Sequence, residues 1–143
     1  MSIQKTGNTR QIAARIMEII EQVGLTEEIL DRYPHEFSGG QLQRIGFARS
    51  LTLGPDLIVA DEPVSALDMS TRASVMDLLG LITRERGMAL VLVSHDLATV
   101  ASTCDRIAVM QQGCIVEAGD TRQIMSAPHE PYTRALIEAV PRL

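Results

Sequence analysis

Leu57-Ile58-Val59-Ala60-Asp61-Glu62-Pro63 opens on four consecutive apolar residues and closes on two adjacent carboxylates. A short continuous apolar run bounded by Asp56 and Asp61 predicts a strand buried on both faces of a parallel sheet. Over residues 71–86, Val75, Leu78, Leu79 and Ile82 recur at helical spacing, and Gly87 follows as a stop. Ala89 to Val93 is the second apolar strand. Strand, helix, strand makes a βαβ unit with a right-handed crossover, so the fold class is α/β.

Upstream the pattern is helical. Ile12, Ile16, Ile19, Ile20 and Val23 form an amphipathic stripe over residues 9–23, ended by Gly24. Glu27 to Leu30 can add one turn before Pro34 breaks it, and Gln41 to Leu53 is helical up to the Gly54-Pro55 stop. Downstream, Leu97, Val100, Ala101 and Cys104 face inward from a short helix. Arg106 to Gln111 and Cys114 to Ala118, joined by Gln112-Gly113, read as an antiparallel hairpin. Gly119-Asp120-Thr121 opens a small helix, and the tail from Pro131 carries Leu136, Ile137 and Val140 at helical spacing.

The 143 residues suffice for one domain with a real core; 45% are hydrophobic and 22% charged, as in ordinary globular proteins. A formal charge of −5 argues against a nucleic-acid partner, since such domains are usually basic. Cys104 and Cys114 lack metal-ligand spacing and read as free, partly buried thiols in a reducing compartment. No apolar segment follows the charge at Lys5 as a leader would, and no run approaches the roughly 20 residues of a membrane span. The expectation is a cytoplasmic protein, or one that meets a membrane only through a partner.

Three segments carry chemistry. In Phe37-Ser38-Gly39-Gly40-Gln41, Ser38 and Gln41 form a capping box, and the glycines leave backbone N–H groups open at the positive helix end. That is either an anion site or simply a well-capped helix with a glycine-rich entry. Asp61 and Glu62 lie at the ligand edge of the sheet, where one carboxylate can hold Mg²⁺ through water and its neighbour can orient or deprotonate an attacking water. They read equally as a solvated acidic strand end. Ser94-His95-Asp96 adds an imidazole to the same edge, and a lone histidine is usually structural.

Taken together, Ser38-Gly39-Gly40-Gln41, Asp61-Glu62, Ser65-Ala66-Leu67-Asp68 and His95 resemble, in order and spacing, the ABC ATPase family from about residue 10 to the end. Phe37 stands where that family most often has leucine. The resemblance implies a partial P-loop NTPase fold: a helical signature subdomain over about 9–54, an α/β core and hairpin over about 55–118, and a helical tail over about 119–143. It implies that Ser38, Gly39, Gly40 and Gln41 meet the γ-phosphate of ATP held by an opposing subunit. Asp61 would be the magnesium residue, Glu62 the general base, Asp68 part of the loop communicating across the dimer, and His95 the switch histidine. Arg32-Tyr33-Pro34-His35-Glu36 and Pro128-His129-Glu130-Pro131-Tyr132-Thr133 look like the oligopeptide/dipeptide/nickel importers, with Glu130 inserted in a tail that usually reads His-Pro-Tyr-Thr. Members often continue past the equivalent of Pro141 into a cysteine-containing extension; this sequence stops at Leu143.

A P-loop requires GxxxxGK[ST], and the only lysine, Lys5, has no glycine before it; Gln4 and Gln11 lack the context of the family's glutamine loop. ATP and Mg²⁺ are therefore expected to need the P-loop of another chain, and sheet edges and apolar faces are expected to be exposed. The reading is the ATP-binding subunit, or a fragment of one, of an importer for peptides or similar small solutes, inactive alone. It would pair with a second ABC ATPase subunit and with transmembrane permeases at the inner face of the membrane. The alternatives are a non-catalytic interaction module that pairs with a full-length ABC ATPase, and a soluble ABC ATPase outside transport.

Overall fold

The computed structural model describes residues 9–140, so Gln4, Lys5, Pro141 and Leu143 lie outside the described residues. The described residues divide into two compact units, one of 9–58 with Val64–Ala89 and the other of Val59–Pro63 with 90–140.

The first unit is helical. Helix α1 (Thr9–Gln22) buries Ile19 and Ile20, and Val23 just beyond it is fully enclosed. Ile12 and Ile16, expected on the same buried stripe, are exposed; only the C-terminal half of α1 has neighbours that cover it. Gly24 ends the helix in the left-handed region at φ +69°, where a β-carbon is strained. Two 3-10 turns (Glu27–Asp31 and Pro34–Glu36) lead to α2 (Gly39–Leu51), which buries Phe47, Ala48 and Leu51. Helix α3 (Met69–Glu85) presents Val75, Met76, Leu79 and Ile82 inward and packs against α2, as α2 does against α1.

Strands β1 (Leu57–Asp61) and β2 (Ala89–Val93) pair with each other. The backbone bonds Ala89 N–H to Asp56 O and Glu62 N–H to Val93 O advance in the same sense along both strands, so the pair is parallel. Burial on both faces does not hold. Ile58 and Ala60 are buried, but Leu57, Val59, Val91 and Val93 are 50%, 63%, 47% and 48% exposed, because among the described residues no layer covers that face.

The second unit carries the hairpin. Strand β3 (Arg106–Gln111) pairs antiparallel with β4 (Cys114–Asp120) through a turn at Gln112 and Gly113, both with positive φ as a two-residue hairpin turn requires. A bulge at Val109/Met110 pairs Val109 with Glu117 and Met110 with Ile115. Strand β4 runs two residues further than the sequence suggests, since Gly119 still pairs with Ile107; α5 (Thr121–Ser126) therefore starts after Asp120, whose carboxylate caps Arg122 N–H. Ile107, Val109 and Ile124 form the core, flanked by Leu97 and Val100 of α4 (Leu97–Thr103), Val116, Met125 and Tyr132 of α6 (Pro131–Glu138). Cys104 is half-buried, and burial, with Asp105 adding to it, pushes its thiol pKa up; Cys114 is exposed rather than partly buried.

Candidate functional site

In the helical unit, Ser38 caps α2 as its sequence predicts. Its Oγ accepts Gln41 N–H at 3.3 Å, and its own N–H donates to Gln41 Oε1 at 3.0 Å, a reciprocal capping box. The two glycines that follow have a second reason to be glycine. A β-carbon on Gly40 would lie 2.5 Å from Thr71 Cγ2, and one on Gly39 would lie 3.0 Å from Leu67 Cδ2. The first turn of α2 lies against the segment that opens α3, where a side chain at position 40 would force Thr71 to move and one at position 39 would require Leu67 to yield by a few tenths of an ångström.

That segment is organised by Asp68. Its carboxylate accepts Ser70 N–H at 3.1 Å, Thr71 N–H at 3.0 Å and the Ser70 hydroxyl at 2.7 Å, which makes it the N-cap of α3. The Thr71 hydroxyl, then the Thr71 amide and the Ser70 hydroxyl, hold this carboxyl well below the usual carboxylate range. Ser38, Gly40, Gln41, Arg44, Thr71 and Ser74 line a cleft of about 310 Å³ with the N-terminal turns of two helices at its rim. Its hydroxyls, side-chain amide and guanidinium suit an oxygen-rich anion.

In the second unit, the end of β1 delivers Asp61, exposed, and Glu62. Glu62 has φ +45°, unusual for a side-chain-bearing residue and more so before Pro63, where extended backbone is favoured. This twist turns Glu62 onto the end of β2. Its Oε1 accepts the His95 N–H at 3.0 Å and lies 2.7 Å from His95 Nδ1, while Glu62 N–H holds Val93 O at 2.9 Å. An ionised carboxylate only accepts, so Nδ1 carries the proton and Nε2 is left available on a ring 78% exposed. Asp96, beside His95, is occupied as the N-cap of α4 through Ala98 and Thr99.

Among the described residues no cluster of three or more His, Cys, Asp or Glu side chains could hold a metal ion. Asp61 can contribute one oxygen. That fits Mg²⁺, which keeps several waters and takes phosphate oxygens as its remaining ligands. Among the described residues no helix is long and apolar enough to cross a membrane.

Sequence reasoning missed Arg44, Thr71 and Ser74. Arg44 follows Gln41 by three residues and so shares a helix face with it, a spacing that could have flagged it. Thr71 is also within reach of sequence as the residue three after the Asp68 N-cap, whereas Ser74 reveals itself only through Arg44, 30 residues away.

Residues 1–65 match the ABC transporter family, and residues 116–143 match the C-terminal region of oligopeptide/dipeptide transporters. The oligopeptide transport ATP-binding protein AmiF of Streptococcus pneumoniae is 51% identical over 89% of this chain and 41% of its own length. The dipeptide transport ATP-binding protein DppF of Haemophilus influenzae is 52% identical over 90% of this chain and 39% of its own length. The chain thus spans about two fifths of the length of these relatives. Among solved structures, the dimeric post-hydrolysis state of the ATP-binding cassette MJ0796 bound to ADP and phosphate matches 84% of this chain and 51% of its own, at a TM-score of 0.70 and 30% identity. The cbiO1 subunit of Clostridium perfringens, part of the cbiONQ ABC transporter complex, matches 97% of this chain and 54% of its own, at 0.79 and 25%.

Proposed function

We propose, for a chain that belongs to the ABC transporter ATP-binding family in its oligopeptide/dipeptide branch, that it supplies the signature helix and the hydrolytic strand ends of a peptide importer's ATPase. The observation that carries this reading is the Glu62–His95 contact at the ends of two parallel strands. The general-base geometry requires a carboxylate at the sheet's ligand edge, oriented by a partner, and the positive φ of Glu62 provides it.

In this reading Glu62 takes a proton from the attacking water, and His95, tethered through Nδ1, presents Nε2 toward the transferring phosphate. Asp61 would hold Mg²⁺ through water, and its positive charge would offset that of the phosphate oxygens. Ser38, Gly39, Gly40 and Gln41 meet the γ-phosphate of a neighbouring subunit's ATP, and Asp68 holds the loop beside them in register. The signature part over about 9–54, the core over about 55–118 and the tail over about 119–143 divide this labour. The P-loop comes from outside this sequence. A second ABC ATPase subunit that carries a P-loop, and transmembrane permeases, complete the assembly at the inner face of the membrane, carrying peptides or similar solutes. Alone, the chain hydrolyses ATP negligibly.

The test mixes this chain with the P-loop-bearing part of DppF of Haemophilus influenzae that this chain does not match, leaving this chain's signature and strand ends as the working ones. Mg-ATP hydrolysis should rise on mixing and fall at least about 100-fold with Glu62→Gln, the low end of a lost general base. Stimulation that survives Glu62→Gln favours the non-catalytic pairing module; no stimulation at all removes the ATPase reading.

A further inference from the structure

We infer that Arg44 is the positioning residue of the signature turn: one guanidinium straps the end of α1 and the side of α3 to α2, one helical turn beyond Gln41. Arg44 Nη1 donates to Val23 O at 3.0 Å, and Nη2 donates to Ser74 Oγ at 2.8 Å. Val23 O lies one residue past α1, beside the carbonyls of its last turn, where the helix dipole is negative, so a cation belongs there. The contact spans 21 residues of sequence to α1 and 30 to α3, so it is tertiary rather than local.

The glycine beneath it supports the same assignment. A β-carbon on Gly24 would stand 2.6 Å from Arg44 Nη1, so a side chain at position 24 would displace the guanidinium from its place against Val23 O. Arg44 also lines the cleft with Ser38, Gly40 and Gln41. The residues that present the helix N-terminus and the residue that ties α2 to its neighbours therefore share one surface.

Two fixed points, Val23 O and Ser74 Oγ, set the rotation of α2 about its own axis, and with it the direction in which Ser38 and Gln41 face. Thr71 against Gly40 is the third constraint on the same turn. Lysine cannot replace this strap, because a single ammonium on a flexible stem lacks the rigid fork that serves two acceptors at once. Any shift of the Val23–Gly24 corner is passed through Arg44 to the signature turn. What that turn does rests on the function proposed above; the strap itself does not.

Amide hydrogen exchange on the full chain, read by NMR, separates the two. Arg44→Lys should accelerate exchange of the Gln41 and Leu42 amides about tenfold, as one lost charge-assisted hydrogen bond gives. Ile107 and Val109 in the hairpin should not change. Gly24→Ala, with Arg44 intact but displaced, should act in the same direction, and Ser74→Ala should add little once Arg44→Lys is present. Exchange at Gln41 and Leu42 within about twofold of the parent in Arg44→Lys and Gly24→Ala, less than one weak hydrogen bond supplies, would overturn the inference. So would uniform acceleration through α1, α2 and α3, which marks ordinary loss of stability. Where Arg44→Lys fails to fold, Gly24→Ala and Ser74→Ala decide by the same criterion. A failed ATPase pairing beside a positive exchange result would remove the proposed function and leave the strap standing.

Discussion

Gly40→Ala is the substitution whose outcome separates packing from ligand binding at the signature turn. The new β-carbon would sit 2.5 Å from Thr71 Cγ2, where non-bonded carbons settle at about 3.5–4.0 Å. Because Thr71 is itself fixed by its bonds to Asp68, it cannot swing away freely. Overpacking of this kind costs about 1–3 kcal/mol, offset by up to about 1 kcal/mol from replacing glycine in a helix, so the net loss should be about 1–2 kcal/mol. Thr71→Ser removes the opposing methyl and keeps the hydroxyl that Asp68 uses. Alone it should cost under about 1 kcal/mol, and combined with Gly40→Ala it should restore stability, a coupling of about 1 kcal/mol or more. Urea unfolding followed by circular dichroism, with unchanged m, reads these differences. A Gly40→Ala variant as stable as the parent, or one that Thr71→Ser does not rescue, refutes the steric argument. The rescued double variant then reports on chemistry: if it folds normally but no longer stimulates the partnered ATPase, open N–H groups at Gly40 are also needed for the anion.

Ser38→Ala should destabilise by about 1 kcal/mol through the lost cap, whereas Ser38→Asp should recover stability in urea melts yet block stimulation of the partner, because a carboxylate caps a helix but repels phosphate. Glu117 accepts His129 N–H at 2.8 Å and Glu130 N–H at 3.3 Å, and the Thr133 hydroxyl, then the His129 amide, hold its carboxyl below the usual range. A depressed carboxyl stabilises above its unfolded pKa and loses that contribution as pH falls through the folded one. Exchange protection at His129 and Glu130 should therefore persist at neutral pH, fade below the ordinary glutamate range and be absent at all pH in Glu117→Ala; pH-independent protection would contradict this. Leu79, fully enclosed in the helical unit, should cost about 2–5 kcal/mol as Leu79→Ala, read by denaturant midpoint.

What the sequence discloses about the fold follows from where structure is locally determined. The α2 capping box and the Gln112-Gly113 turn depend on residues within four positions of each other, and both form as their chemistry dictates. The apolar runs of β1 and β2 announce strands but do not announce their neighbours. Period and composition say that Val59 and Val91 are suited to burial; whether anything covers them is decided by the layer beyond, and here that face is open. Ile12 and Ile16 fail in the same way, since a helical stripe specifies a face and not the length over which a partner lies against it.

The candidate site was legible as residue types and opaque as geometry. The resemblance places Asp68 in a communicating loop, yet its carboxylate is occupied by the amides and hydroxyls of Ser70 and Thr71, so its structural effect runs through the position of the α3 N-terminus. Gly39 and Gly40 suggest an open anion cradle; Gly40 is equally the place where Thr71 comes too close for a side chain. The two roles reinforce each other. A turn pinned by Ser38, Asp68, Thr71 and Arg44 has little freedom left to lose, and a site that is ordered before its ligand arrives does not spend binding energy on ordering itself. Glu62 shows the same logic at the strand end. Its φ of +45° costs conformational energy that nothing in Ala60-Asp61-Glu62-Pro63 predicts, and the return is a carboxylate held 2.7 Å from His95 Nδ1 rather than trailing along the strand axis. Strain of this kind persists only where surrounding bonds over-determine it, and here the Val93 carbonyl and the His95 amide do so from β2 and its end. The carboxylate and imidazole are thus set by backbone contacts that need no ligand, which is the arrangement the phosphoryl transfer proposed above would demand.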